Sequence, residues 1–136
     1  MKQLIELQRG EVLNEIKIGP VTRLDLIQYA GASGDFNPIH TIDAEAEKAG
    51  LPGIIAHGMW TMGNLAKLFS PLLESGFIQD YSVRYQGMVF LGDVITLKAT
   101  LEKQEGNILT FNVSAVNQDQ KVAVKGNLVF HKYLSN

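Results

Sequence analysis

The chain has 136 residues, of which 46% are hydrophobic, and this is enough apolar material for one domain with a single core. A formal net charge of −2 and the lack of a basic patch argue against a nucleic-acid partner. The sequence contains no cysteine, which excludes disulfides, thiolate nucleophiles and thiolate-bound metals.

Targeting signals are not evident in the sequence. Residues 1–6 lack the apolar run of a signal peptide, and no apolar stretch reaches the roughly 18–20 residues that a membrane span needs. No linker or internal repeat divides the chain. We therefore expect a cytoplasmic protein without membrane contact, folded as one domain over residues 1–136.

The first predicted helix runs from about residue 23 to residue 32. Thr22 is suited to cap this helix, because Asp25 at the third helical position completes a capping box. Apolar residues at helical spacing predict its buried face: Leu24, Ile27, and either Ala30 or Gly31.

The segment that follows, residues 34–40, reads Gly-Asp-Phe-Asn-Pro-Ile-His. Asp35 and His40 are the side-chain types best suited to moving protons near neutral pH. Pro38 predicts a loop, in which the two side chains can converge on one water molecule, as a spacing of five on a helix would not allow. A purely structural role is the alternative, because Asp35 and Asn37 also suit turns and caps. The loop by itself leaves both interpretations open.

Two further helices are predicted downstream. Asp43 is expected to cap a short helix through Lys48. The longest helix should start at residue 57 or 58 and run to about residue 73, with a break or kink at Pro71. Its predicted buried stripe is Met59, Met62, Leu65 or Ala66, Phe69, and Leu72 or Leu73.

Four segments of alternating polarity predict strands in the second half of the chain. Their inward residues lie within the ranges 81–85, 95–101, 109–115 and 122–128, and turns are expected at 105–107 and 117–120. We predict an antiparallel meander with one buried face. Helices followed by strands indicate an α+β domain.

Several of these segments resemble one known family. Residues 29–40 followed by Ala46, residues 55–59, and residues 83–85 followed by 91–93 resemble three blocks of the MaoC-like R-specific enoyl-thioester hydratases and (3R)-hydroxyacyl-thioester dehydratases. Residues 22–26 and 57–63 bring the chain close to the catalytic B-type dehydratase subunits, and it is also similar to the short R-specific enoyl-CoA hydratases. The resemblance covers nearly the whole chain.

The resemblance implies a hotdog fold, in which an antiparallel sheet of about five strands wraps around a long central helix. It implies a homodimer, with a heterodimer as an alternative, and a substrate carried as an acyl-CoA or acyl-carrier-protein thioester. Because the sequence has no metal or phosphate-binding signature, we expect no cofactor. The family pattern also places a serine on the central helix, at the position that Ala66 occupies here.

The resemblance assigns Asp35 to orienting or deprotonating the water and His40 to binding the same water and delivering a proton. The Gly58 N–H at the start of the central helix is suited to hold the thioester oxygen, because helix N-termini present free N–H groups. Asn37 is a second candidate for substrate binding, and either Asn37 or Asn64 could replace the missing serine. His57 is expected to be a hydrogen-bonded structural residue.

The leading functional hypothesis is a hydro-lyase acting on trans-2-enoyl thioesters. A hotdog acyl-thioesterase and a subunit of a heterodimeric dehydratase are the alternatives, because one fold serves several functions. Ser33 lacks the pattern of a nucleophile elbow. One aspartate and one histidine are too few ligands for a metal site, and Trp60 and the methionines are expected in the core or a tunnel wall.

Overall fold

The computed structural model describes residues 7–134, which form one five-stranded antiparallel sheet with helices packed on it. The strands are β1 (Ile16–Ile18), β2 (Gly76–Tyr85), β3 (Ile95–Glu105), β4 (Ile108–Val116) and β5 (Val122–Lys132). Their order across the sheet is β1-β3-β4-β5-β2. This architecture confirms the predicted α+β class and the hotdog fold. The prediction that concerned residues 1–6 lies outside the described residues.

The predicted meander is correct only for β3, β4 and β5. β2 does not pair with β3; it crosses the sheet and pairs antiparallel with β5, from Gly76 opposite Lys132 to Tyr85 opposite Val124. Residues 86–94 between β2 and β3 are too long a connection for a tight hairpin. β1 was not predicted, because its three residues are too few to display an alternating pattern.

Helix α1 (Arg23–Ser33) begins as predicted, with a complete capping box. Thr22 Oγ1 accepts from the Asp25 N–H at 3.1 Å, and an Asp25 carboxylate oxygen accepts from the Thr22 N–H at 2.9 Å. The predicted buried face is confirmed at Ala30 but wrong at Leu24 and Ile27, which are 60% and 48% exposed. Leu26 is buried instead, so the buried face is rotated from the predicted stripe.

Helix α2 (Asp43–Lys48) has the predicted extent but a different start. Ile42 is its N-cap residue, and Asp43 is the first residue of the helix. The Asp43 carboxylate binds the guanidinium of Arg23 at 2.9 and 3.1 Å, so it is not used as a cap.

The central helix combines α3 (Gly58–Leu65) with a 3₁₀ helix (Ala66–Leu72) that contains Pro71. Its buried residues are Thr61, Leu65, Leu68, Phe69 and Leu72. The predicted stripe therefore holds from Leu65 onwards but fails at Met59, which is 57% exposed. Met59 lies in the first turn of α3, before the part of the helix that packs in the core. No helix within residues 7–134 is long and apolar enough to cross a bilayer.

Candidate active site

A cavity of about 390 Å³ opens at the N-terminus of α3. The loop after α1 provides one wall of this cavity, and β2 and β5 provide the opposite wall. Residues that line it include Asp35, His40, Ile55, Gly58, Tyr85 and Val124. The structure thus brings three of the predicted site residues to one cavity. Asn37, the fourth, is not among the lining residues.

The loop between α1 and α2 is built by its own polar side chains. Gly34 ends α1 in the left-handed region with a φ of +77°. An Asp35 carboxylate oxygen accepts from the Asn37 N–H at 3.2 Å, and Asn37 Oδ1 accepts from the Ile39 N–H at 3.2 Å. Asn37 thereby caps the 3₁₀ helix Pro38–His40. The turn chemistry and the placement of Asp35 at the cavity are both present, so the two interpretations of this loop are compatible.

His40 is oriented by a main-chain carbonyl. The residue is 7% exposed, and its Nδ1 lies 2.7 Å from the Ile55 carbonyl oxygen. Because a carbonyl only accepts, Nδ1 carries the proton of this hydrogen bond. This leaves Nε2 as the ring nitrogen that is free for chemistry.

The carboxylate of Asp35 and the ring of His40 are close enough to share one water. An Asp35 oxygen and a His40 nitrogen lie within 4.8 Å of each other. Two hydrogen bonds of about 2.8 Å that meet at one oxygen span about this distance. The arrangement suits a water that one group binds while the other exchanges a proton with the substrate.

His57 is a component of the site whose contacts the sequence did not predict. It is 1% exposed, and its ring stacks on that of His40 with 3.8 Å between centroids and 24° between planes. Its Nε2 lies 3.1 Å from the main-chain oxygen of Asp35. Burial lowers the pKa of His57, and His40 lowers it further, against an opposing effect of the Asp35 hydrogen bond.

Gly58 is the first residue of α3, where the N–H has no acceptor inside the helix. A Cβ at this position would lie 2.9 Å from Cε1 of Tyr85. Glycine therefore allows the ring of Tyr85 to approach the helix terminus and form the cavity wall beside it. Strand alternation indicated that Tyr85 points inward, but not that it faces this helix terminus.

Asp35, His40 and His57 form a group whose ligand atoms all lie within 4.8 Å, which suggests a metal site. The ring geometry argues against one. The lone pairs of an imidazole lie in its plane, and two planes 24° apart with centroids 3.8 Å apart do not meet near the rings. One ion cannot therefore lie in both planes at a bonding distance of about 2.0–2.1 Å.

The loop is anchored without a serine at position 66. Asn64, a predicted substitute, donates from Nδ2 to the Trp60 carbonyl of its own helix at 2.9 Å. Long-range anchors of the loop include the contact between His57 and Asp35 and the contact between His40 and Ile55. A further anchor is a 3.3 Å main-chain hydrogen bond from the Ile55 N–H to the Ile39 carbonyl.

The fold and the site together define a hotdog-fold enzyme of the hydratase and dehydratase class. The sequence model of the protein family described as MaoC like domain matches residues 6–125, so the chain belongs to this family. It is 30% identical over 113 residues to the (R)-specific enoyl-CoA hydratase of Aeromonas caviae, a match that covers 77% of this chain and 81% of that protein. The solved (R)-hydratase from A. caviae involved in PHA biosynthesis superposes with a TM-score of 0.80 at 26% identity, covering 94% of this chain and 98% of that one.

A longer relative contains a similar region. The chain is 35% identical over 104 residues to the fatty acid synthase subunit beta of Aspergillus oryzae. This match covers 73% of the present chain. The match spans only 5% of that fungal protein.

Proposed function

We propose that this protein is a hydro-lyase that adds water reversibly to trans-2-enoyl thioesters and gives (3R)-hydroxyacyl thioesters. The observation that carries this proposal is the convergence of Asp35 and His40 on one cavity at the N-terminus of α3. The R configuration is inferred from the family and from the activity named for the A. caviae relative.

In the hydration direction, the carboxylate of Asp35 orients the water and draws its proton. Nε2 of His40, which carries no proton in the tautomer set by Ile55, accepts a hydrogen bond from the same water. As hydroxide adds to C3, the proton taken from the water passes through this pair to C2 of the substrate. In the dehydration direction, the pair removes the C2 proton and protonates the departing hydroxyl group. Each such proton transfer typically contributes roughly 10²–10⁴ in rate.

The thioester oxygen gains negative charge when water attacks C3, and a donor must stabilise it. We assign this role to the N–H of Gly58, which lines the cavity at the positive end of α3. Asn37 remains a weaker candidate for substrate binding, since its side chain is occupied in capping Ile39.

The substrate carrier is either coenzyme A or an acyl carrier protein, and no metal or cofactor is required. We further propose that residues 1–136 form a single MaoC-like domain, which the family match over residues 6–125 supports. We infer a homodimer in the cytoplasm, with a heterodimer as the alternative. Within residues 7–134, β2 lies at the edge of the sheet and pairs only with β5, which supports dimerisation because a long uncovered edge favours pairing with another chain.

The test is an assay of the protein expressed alone with trans-2-enoyl-CoA substrates of short and long chain. Loss of the enoyl-thioester absorbance, with (3R)-hydroxyacyl-CoA as the product and no effect of a chelator, is the expected result. Release of free thiol would instead identify a thioesterase. Activity that appears only with a second, different chain would identify a heterodimeric enzyme.

A further inference from the structure

His57 is a buried titratable residue that the proposed mechanism leaves unused. Three groups surround it: the ring of His40, the main-chain oxygen of Asp35, and the ring of Tyr29, whose centroid lies 4.8 Å away in an edge-on arrangement. His57 therefore touches both members of the proposed catalytic pair from the side of the protein interior.

The contact with Asp35 fixes the tautomer of His57. The Asp35 main-chain oxygen can only accept, so Nε2 of His57 carries a proton. Among the described residues, Nδ1 of His57 is buried and has no hydrogen-bond partner. A proton on Nδ1 would create a buried cation against His40 without an acceptor for the new N–H. The neutral Nε2–H form is thus the one that fits this site.

The orphaned Nδ1 indicates that the ring does more than fill space. A buried polar atom without a partner costs free energy, and a phenylalanine would fill a similar volume without that cost. The donor at Nε2 is the property of His57 that phenylalanine lacks. Its acceptor belongs to Asp35, the residue whose position the chemistry depends on.

We propose that His57 is a positioning residue, which sets the separation of Asp35 and His40 by donating to the Asp35 carbonyl while stacking on the His40 ring. This inference rests on the proposed hydro-lyase function. One side chain thereby links the start of the loop to its end, through a hydrogen bond on one side and a ring contact on the other.

Two substitutions separate the donor from the ring. His57→Gln keeps an N–H donor at about the position of Nε2 but removes the aromatic ring. His57→Phe keeps the ring and removes the donor. Both variants are first compared with the wild type by thermal unfolding, and rates are measured at a temperature where all three are folded.

We expect His57→Phe to lower kcat roughly 10²-fold, the usual effect of displacing a catalytic group by about 1 Å. KM should change by less than about twofold, because substrate binding is unaffected. His57→Gln should recover kcat to within about fivefold of the wild type. A His57→Phe enzyme with wild-type kcat, or a folded His57→Gln enzyme as slow as His57→Phe, would overturn the proposal.

A second measurement does not depend on activity or on the variants. Nitrogen NMR of the wild-type histidines at a pH of about 7.5, above the ordinary histidine pKa, should find His57 as the neutral Nε2–H tautomer. The titratable groups that face it are Tyr29, Asp35 and His40. A neutral Nδ1–H tautomer would contradict the inferred hydrogen bond, because its Nε2 would have no proton to donate to the Asp35 carbonyl. A wild type with this tautomer but without hydratase activity would refute the proposed function, and with it the catalytic part of this inference, leaving the hydrogen bond in place.

Discussion

Asp35 is exposed to the cavity through its side chain and is held in place largely through its main chain. Its N–H donates to Ser33 Oγ at 3.1 Å, and its carbonyl accepts from His57. His40 is held in the same way, by the carbonyl of Ile55. Because these anchors do not use the carboxylate of Asp35 or Nε2 of His40, both groups can be altered without releasing the loop.

The first prediction concerns these two groups. Asp35→Asn keeps an oxygen for the Asn37 N–H, and His40→Asn keeps a donor near the position of Nδ1 for the Ile55 carbonyl. Each variant loses its titrating group, so turnover should fall by roughly 10²–10⁴. Steady-state hydration rates measure this effect, and unchanged unfolding midpoints provide the control. A variant that keeps more than about a tenth of the wild-type rate would remove that residue from its role.

The second prediction compares two glycines of the same helix. A Cβ at Gly58 meets Tyr85 at 2.9 Å, whereas a Cβ at Gly63 has no atom within 4 Å. Gly58→Ala should displace the Tyr85 wall and lower kcat/KM at least roughly tenfold. Gly63→Ala should leave the rate unchanged and raise the free energy of unfolding by about 0.5–1 kcal/mol. Equal rates for the two variants would show that the contact between Gly58 and Tyr85 is unimportant.

At the scale of the element, α1 matters because the loop that carries the proposed catalytic pair begins where this helix ends. Its start is fixed by the capping box of Thr22 and Asp25. The third prediction is that Thr22→Ala lowers the free energy of unfolding by about 1 kcal/mol in urea denaturation. Thr22→Ser should retain most of that stability, because serine offers the same oxygen. A serine variant as unstable as the alanine variant would mean that the cap is not the cause.

Local signals predicted the elements well and their buried faces less well. The capping box located α1, and strand alternation located β2 to β5. The exposed side chain of Leu24 and the change to 3₁₀ winding after Leu65 were not predictable in this way. Which apolar stripe a helix buries depends on where the sheet lies, and a periodicity within one segment does not contain that information.

The residues of the candidate site also differ in whether a local sequence pattern predicts them. Asp35 and His40 were found because they share one loop, and Gly58 because a helix terminus is a local feature. His57 was expected to be an ordinary structural histidine, and its contact with Asp35 joins residues 22 positions apart in the chain. Such a contact arises only when the tertiary structure forms, so no local pattern in the sequence predicts it.

At the scale of the whole molecule, β2 forms one edge of the sheet, and within residues 7–134 it pairs only with β5. Large apolar side chains are exposed on β2 and directly after it, namely Phe77, Tyr85 and Met88. The fourth prediction is a homodimer, since an uncovered edge favours pairing with a second sheet. Light scattering should give the mass of two chains at assay concentrations. A fully active monomer under the same conditions would contradict it.

The fifth prediction is a loss of stability in acid that depends on His57. In the folded protein burial lowers the pKa of His57 from its ordinary 6.5, so the unfolded chain binds this proton more readily. The free energy of unfolding should therefore fall as pH drops below about 6.5, by at most about 1.4 kcal/mol per pH unit from this residue, and level off below the folded pKa. Denaturation curves of wild type and His57→Gln across this range measure the difference. Parallel pH profiles for the two proteins would contradict the prediction.

Ile55 holds His40 through its carbonyl oxygen and lines the cavity with its side chain. Every amino acid brings the same carbonyl, so the orientation of the imidazole is independent of which residue occupies this position. Substitutions at position 55 can therefore enlarge or narrow the cavity while the proposed catalytic pair, Asp35 and His40, keeps its position. A scaffold of this kind can acquire new acyl-chain preferences by single substitutions that leave its chemistry intact.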